Sequence, residues 1–209
     1  MRKLQLLGRA SSINVRKVRW TCDELGLEPE LVEWGAGALS LQSPDFLALN
    51  PNGLVPVLVD DGFVLWESNT ICRYLAARQG RVDLLPQQPA ARARVEQWMD
   101  WQATELNTAW RHAFMGLVRQ HQAFADAAGI AASTASWNRH MALLDAALQR
   151  TGAYVTGDGF TLADVVLGLA THRWYATPIE RPPLAALAAY YERLSERPGF
   201  MRHGRNGLP

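Results

Sequence analysis

Three short segments place reactive side chains or free main chain where a ligand can use them. The first is Leu49-Asn-Pro-Asn-Gly-Leu54-Val55-Pro56-Val57. Pro56 opens an apolar run, where its missing N–H keeps it out of a sheet ladder. Trans is the ordinary expectation, since only about 5–6% of X–Pro bonds in folded proteins are cis. A cis Val55–Pro56 bond would turn the chain and leave the N–H and C=O of Val55 unpaired. A peptide-like ligand can then pair with them as if it were another strand. The second segment is Trp66-Glu67-Ser68-Asn-Thr-Ile-Cys-Arg-Tyr-Leu. Free N–H groups at a helix start favour a carboxylate, a serine hydroxyl adds a donor, and Glu67 can hold an ammonium. Together they suit the head group of an α-amino acid. The plain alternative is that Ser68 caps the helix and Glu67 complements its dipole. The third is Gly8-Arg9-Ala-Ser11-Ser12-Ile-Asn14-Val-Arg16. It follows a strand, on the usual ligand face of an open α/β sheet, and its serines can point hydroxyls at a ligand or cap the next helix.

A fourth segment, Gly157-Asp-Gly-Phe160-Thr161-Leu-Ala-Asp164-Val165, is structural. Thr161 and Asp164 have the spacing of a capping box, with Asp in place of the usual Glu, and Phe160 and Val165 form the hydrophobic staple.

These segments need elements to position them. The apolar pattern predicts strands over 4–8 and 31–34, joined by a helix over 14–25 that Gly26 stops. A strand, a helix and a strand in that order imply a parallel pair. A loop over 35–41 and a short helix lead to strands over 57–60 and 63–66. Asp61-Gly62 joins them, the strongest short hairpin signal. A helix over 68–78 completes a small mixed sheet flanked by helices. Residues 81–89 read as a linker, and beyond them the periodicity is helical throughout. Helices are predicted over 90–118, 133–150, 161–175 and 184–197, with the alanine-rich stretch 123–135 as a connection. The expected domains are therefore 1–80, a linker 81–89, and 90–209: an α/β domain followed by an all-helical bundle.

Composition narrows the function classes. The chain has 209 residues, 48% hydrophobic and 20% charged, with a formal net charge of +1. That balance gives no electrostatic footprint for nucleic acid or an acidic membrane. The opening residues carry too short an apolar run for a signal peptide, and no stretch nears membrane-spanning length. Cys22 and Cys72 are the two cysteines. They form neither a CxxC nor a His-paired spacing, so a reduced, cytoplasmic setting is expected.

Taken together and in order, the Val-Pro, Glu-Ser, Ser-Ser and Phe-Thr-Leu-Ala-Asp segments resemble the cytosolic glutathione transferase superfamily. The likeness runs over the whole chain, and the pattern is closest to the bacterial serine type, theta- or zeta-like. It implies a thioredoxin-like N-terminal domain that binds glutathione and a helical domain that shapes the pocket for an electrophile. Glu67 and Ser68 would hold the γ-glutamyl end. Val55, with Leu54 beside it, would pair with the cysteinyl part, and Pro56 would be cis. Ser12 would act on the thiol, with Ser11 as the alternative. The resemblance assigns Trp110, Arg111, Phe114 and Arg9 to the electrophile. It further implies a homodimer, no metal, and no nucleic-acid or membrane partner. Conjugation to a hydrophobic electrophile is the expected reaction. A glutathione-dependent isomerase or dehalogenase, or a non-enzymatic binding module, stands as the alternative. One departure is notable: where some serine-type relatives carry an acidic residue and an Arg, this chain has Thr104 and Asn107.

Overall fold

The computed structural model describes residues 4–35, 37 and 39–209. Ala36 and Ala38, inside the loop expected over 35–41, lie outside the described residues. The chain divides into two compact units, Met1–Leu85 and Pro86–Pro209.

The first unit runs β1 (Leu4–Leu7), α1 (Ile13–Leu25), β2 (Glu30–Val32), α2 (Pro44–Leu49), β3 (Val57–Asp60), β4 (Phe63–Trp66) and α3 (Ser68–Arg78). The strand order is β2-β1-β3-β4. β1 pairs parallel to β2 and antiparallel to β3, and β3 pairs antiparallel to β4. Asp61 and Gly62 both take positive φ, 53° and 90°, as the two-residue turn requires. Alternation along the strands splits the core between the two faces of the sheet. Leu7 and Val57 pack with Phe46 of α2, and Val32, Trp34, Leu49 and Val55 close around them. Leu6 and Leu58 point to the opposite face and are fully buried, as are Val15 and Val18 of α1 and Ile71 and Leu75 of α3. The hairpin is tied to α3 through Asp60, which accepts from Tyr74 Oη at 2.7 Å and pairs with Arg78 at 3.1 Å.

In the second unit every named element is a helix. The stretch expected as one helix over 90–118 is three pieces: α4 (Pro89–Trp101), a π-helical turn (Gln102–Leu106) and α5 (Asn107–Leu117). The wide turn is bridged by Gln102, whose side-chain amide donates to Asn107 Oδ1 at 2.8 Å across a spacing of five residues. The connection expected over 123–135 is also corrected. A 3₁₀ turn (Gln122–Phe124) precedes α6 (Ala127–Thr151), so the helix begins well inside the alanine-rich stretch. Asp126 starts it by accepting from the Gly129 N–H at 2.6 Å. Alanine is the best helix former, and this mostly exposed first segment needs no apolar stripe to be helical. After α7 (Leu162–Ala176) and α8 (Ala185–Ser195) comes a short α9 (Pro198–His203) that periodicity did not reveal. Its one sequence signal is Pro198 at the first helical position.

α7 is the central helix: every residue from Leu162 to Trp174 is buried. The capping box at its start is formed. Asp164, fully buried, accepts from Thr161 N–H at 2.8 Å, Thr161 Oγ1 at 3.0 Å, Val155 N–H at 3.1 Å and Tyr190 Oη at 3.1 Å. Burial outweighs those donors and raises its pKa to about 6. In the unfolded chain the carboxyl ionises at its ordinary, lower value. The folded state therefore binds the extra proton between the two, and stability falls as pH rises through that window. Relative to Asp164→Asn, which does not titrate, the wild type should lose roughly 2–3 kcal/mol of unfolding free energy between pH 4 and pH 7. Urea melts of both proteins across that range check the sign; parallel profiles would refute it.

Candidate functional site

The register of the sheet gathers the three candidate segments of the first unit. Val57 pairs with Leu7 of β1 on one side and Trp66 of β4 on the other. One rung therefore lies across three strands. Gly8 to Ser12 leaves it from β1, Val55 and Pro56 enter it at β3, and Glu67 and Ser68 leave it from β4. Because β3 is antiparallel to both neighbours, all three segments emerge at the same end of the sheet.

Gly8 brings the first two together. It takes φ 153°, and its N–H donates to Val32 C=O at 2.9 Å. A Cβ at Gly8 would stand 2.6 Å from Val15 Cγ2 and 3.1 Å from Val55 Cβ. Only glycine lets the start of α1 and the Val55 segment approach so closely.

Ser12 sits at the N-cap of α1 with extended backbone (φ −71°, ψ 126°), and its C=O accepts from Arg16 N–H at 2.9 Å. Its side chain makes no capping bond. The hydroxyl, half-buried at the head of the helix, is therefore available, and the free N–H groups of the first turn surround it with positive potential. Ser11 is exposed one residue earlier, and Arg9 is half-buried, its C=O accepting from Ser12 N–H at 3.0 Å.

The Val55–Pro56 peptide is cis. Neither the N–H nor the C=O of Val55 makes a hydrogen bond among the described residues. The loop before it is fixed by Asn50, which is 3% exposed and which sequence reasoning passed over. Asn50 Nδ2 donates to Leu54 C=O at 2.7 Å, and its Oδ1 accepts from Asn52 N–H at 3.1 Å. The Asn-Pro-Asn-Gly run was the signal, since Asn side chains fold back on the main chain in turns. Leu54 is exposed, with its carbonyl already taken by Asn50.

Glu67 departs further from expectation. It takes φ 73°, ψ 109°, a conformation rare for a residue with a side chain, at the N-cap of α3. Such a backbone costs of order 1–3 kcal/mol and collects at functional sites. Its carboxylate is exposed and does not cap the helix. Ser68 is buried as the first helical residue. Next to it, Asn69 Oδ1 lies 3.4 Å from the buried Lys17 Nζ, which links the starts of α3 and α1. The plain alternative with Ser68 as the cap does not hold, because Ser68 is the first helical residue and Glu67 stands at the N-cap; no residue pattern announced the Glu67 backbone.

Neither cysteine is poised to react. Burial pushes the Cys22 thiol far up and the Cys72 thiol to about 11, and Thr21 Oγ1 lies 3.1 Å from Cys72 Sγ.

In the second unit, Trp110 and Phe114 meet edge to face at 5.3 Å on α5, and Arg111 is exposed between them in sequence. Asn107 and Thr104 are both engaged internally. Asn107 Oδ1 also accepts from Trp110 Nε1 at 3.0 Å, and the Thr104 hydroxyl donates to Asp100 C=O at 2.9 Å.

Residues 11–78 match the family model "Glutathione S-transferase, N-terminal domain", and residues 127–193 match "Glutathione S-transferase, C-terminal domain". Glutathione S-transferase GstB of Escherichia coli K12 is 41% identical over 201 residues, covering 95% of this chain and 96% of that protein. Glutathione S-transferase 3 of Zea mays is 34% identical over 209 residues, covering 97% and 93%. The solved structure of the theta class glutathione S-transferase from Xanthomonas axonopodis pv. citri, with glutathione bound, superposes with a TM-score of 0.92 at 41% identity and covers all of both chains. Among the described residues no helix is long and apolar enough to cross a membrane. By sequence over nearly its full length and by fold, the chain belongs to the glutathione S-transferase family.

Proposed function

We propose that the chain conjugates glutathione to a hydrophobic electrophile in the cytoplasm. The observation that carries this reading is the shared rung Leu7–Val57–Trp66. It delivers an unused serine hydroxyl, an unpaired main-chain amide and a helix start flanked by a carboxylate to one end of one sheet. Glutathione presents the complementary groups: a thiol, a peptide backbone, and an ammonium with a carboxylate.

Each residue then has a physical task. The Ser68 hydroxyl and the first N–H groups of α3 bind the α-carboxylate, and Glu67 holds the ammonium. Val55, with Leu54 beside it, pairs with the cysteinyl main chain next to Pro56. A free thiol ionises near pH 8.5, so little thiolate exists at neutral pH. A hydrogen bond from Ser12 and the head of α1 favour the charged form and lower that pKa. The thiolate attacks the electrophilic carbon, the leaving group departs with its electron pair, and the thiol proton passes to solvent. Trp110, with the buried Phe114 packed against it, supplies apolar surface for the electrophile, and Arg111 is a flanking cation.

The expected assembly is a homodimer. Edge strand β4 exposes Phe63 (49%) and Trp66 (38%), apolar area that suits a second copy of this chain.

Ser12→Ala should slow conjugation of chlorodinitrobenzene by roughly 10²-fold at neutral pH and move the rising limb of the pH–rate profile upward by about two units. Ser11→Ala should leave that limb in place; the reverse result would transfer the role to Ser11. A count of glutathione consumed per product formed separates conjugation from isomerisation, which regenerates it.

Glu67 offers a second check. Replacing it with glycine removes both the backbone penalty and the carboxylate. Glu67→Gly should therefore melt at or above the wild-type temperature, with up to about 1 kcal/mol more stability, yet bind glutathione at least 10-fold more weakly. Calorimetry with glutathione alongside thermal melts reads both quantities. A variant that binds as tightly as wild type would remove Glu67 from the site.

A further inference from the structure

The helical unit holds a buried cation that sequence reasoning did not single out. Arg173 lies on α7 and is 4% exposed. Its guanidinium carbon is 4.5 Å from the Trp110 ring centroid and 4.2 Å from the Phe114 ring centroid. The planar cation thus packs against both rings. Trp110 is held from other sides as well: Nε1 donates to Asn107 Oδ1 at 3.0 Å, and the Trp137 ring packs at 6.2 Å. Asn107 is itself held by Gln102, which is 2% exposed and sits in the π-helical turn. A guanidinium attracts aromatic rings through their quadrupole, and its flat delocalised face lets it stack where a compact ammonium cannot. Arg173 therefore contacts both rings at once, at distances where a cation is attracted to their faces.

We propose that Arg173 is a positioning residue for aromatic electrophiles, acting through Trp110 and Phe114. The inference rests on the assignment of those two rings to the electrophile. Flat rings prefer offset-stacked or edge-to-face arrangements, so a planar electrophile gains most from a wall whose tilt is held. A small aliphatic electrophile packs against any apolar surface and gains little from it. Arg173 thus sets a preference between the two classes.

The test compares Arg173→Lys and Arg173→Met with wild type, using chlorodinitrobenzene as the planar electrophile and iodoethane as the aliphatic one. Lysine keeps the charge and the stem but not the planar stack, and methionine keeps only the apolar bulk. Both variants should raise KM for chlorodinitrobenzene about 10-fold, with KM for glutathione and for iodoethane within twofold of wild type. A purely structural role would weaken both electrophiles alike. That uniform loss, an unchanged KM for chlorodinitrobenzene, rescue by lysine, or failure of both variants to fold would each overturn the proposal. Trp110→Ala and Phe114→Ala test the underlying assignment separately. If they leave KM for chlorodinitrobenzene unchanged, the assignment of the rings is wrong whatever Arg173 does. If they raise it and the Arg173 variants do not, the assignment stands and the positioning role falls.

Discussion

Val57 is hydrogen-bonded into the middle of a sheet, with Leu7 opposite it on one side and Trp66 on the other. A strand's side-chain period is two residues, so a slip of one position at either pairing would turn the apolar set of that strand outward. Leu6, Leu7, Val57 and Leu58 are buried on the two faces and resist such a slip. The same burial that fixes the register fixes which residues leave the sheet together. The serine loop, the Val55 amide and the Glu67 corner are neighbours at one end of the sheet because hydrophobic packing holds that rung in place.

The corner departs from local preference where it faces the site. Gly8 takes a backbone and a closeness to Val55 that no Cβ would permit. Glu67 adopts a positive φ that its side chain disfavours. Ser12 stands at a helix cap without using its hydroxyl to cap, and Val55 leaves its amide unpaired. Each leaves a conformational cost or an unmet hydrogen bond in the protein alone. Under the proposed function, the Ser12 hydroxyl, the Val55 main chain and the Glu67 carboxylate would be the ones that meet groups of glutathione. Two carboxylates elsewhere in the chain are satisfied internally: Asp126 caps its helix, and Asp164 takes four donors. The contrast sets the sheet end apart from ordinary loops and caps.

The helical unit follows a different logic. Its central helix is buried from Leu162 to Trp174, so its polar side chains need partners inside the protein. Asp164 meets that demand with hydrogen bonds at the helix start, and Arg173 meets part of it with aromatic faces near the helix end. The π-helical turn before α5 sets the azimuth of Trp110 through Asn107.

Residue spacing determined much of this by itself. Asp61-Gly62 announced the hairpin because its turn needs positive φ at both positions, and the Thr161–Asp164 pair announced a helix start because a capping box has fixed spacing. Alternation and helical stripes gave the order of the elements, since burial on one face leaves a period in the chain. Other features have no period. The π-helical turn, the entry of α6 into its alanine-rich start, the Glu67 backbone and the Arg173 stack arise from contacts between residues far apart or from exposed segments without a stripe. Ser12, Val55 and Glu67 could be named from local motifs, because their residue types carry the chemistry. Their meeting at one end of one sheet was decided by strand register, which only the folded core enforces.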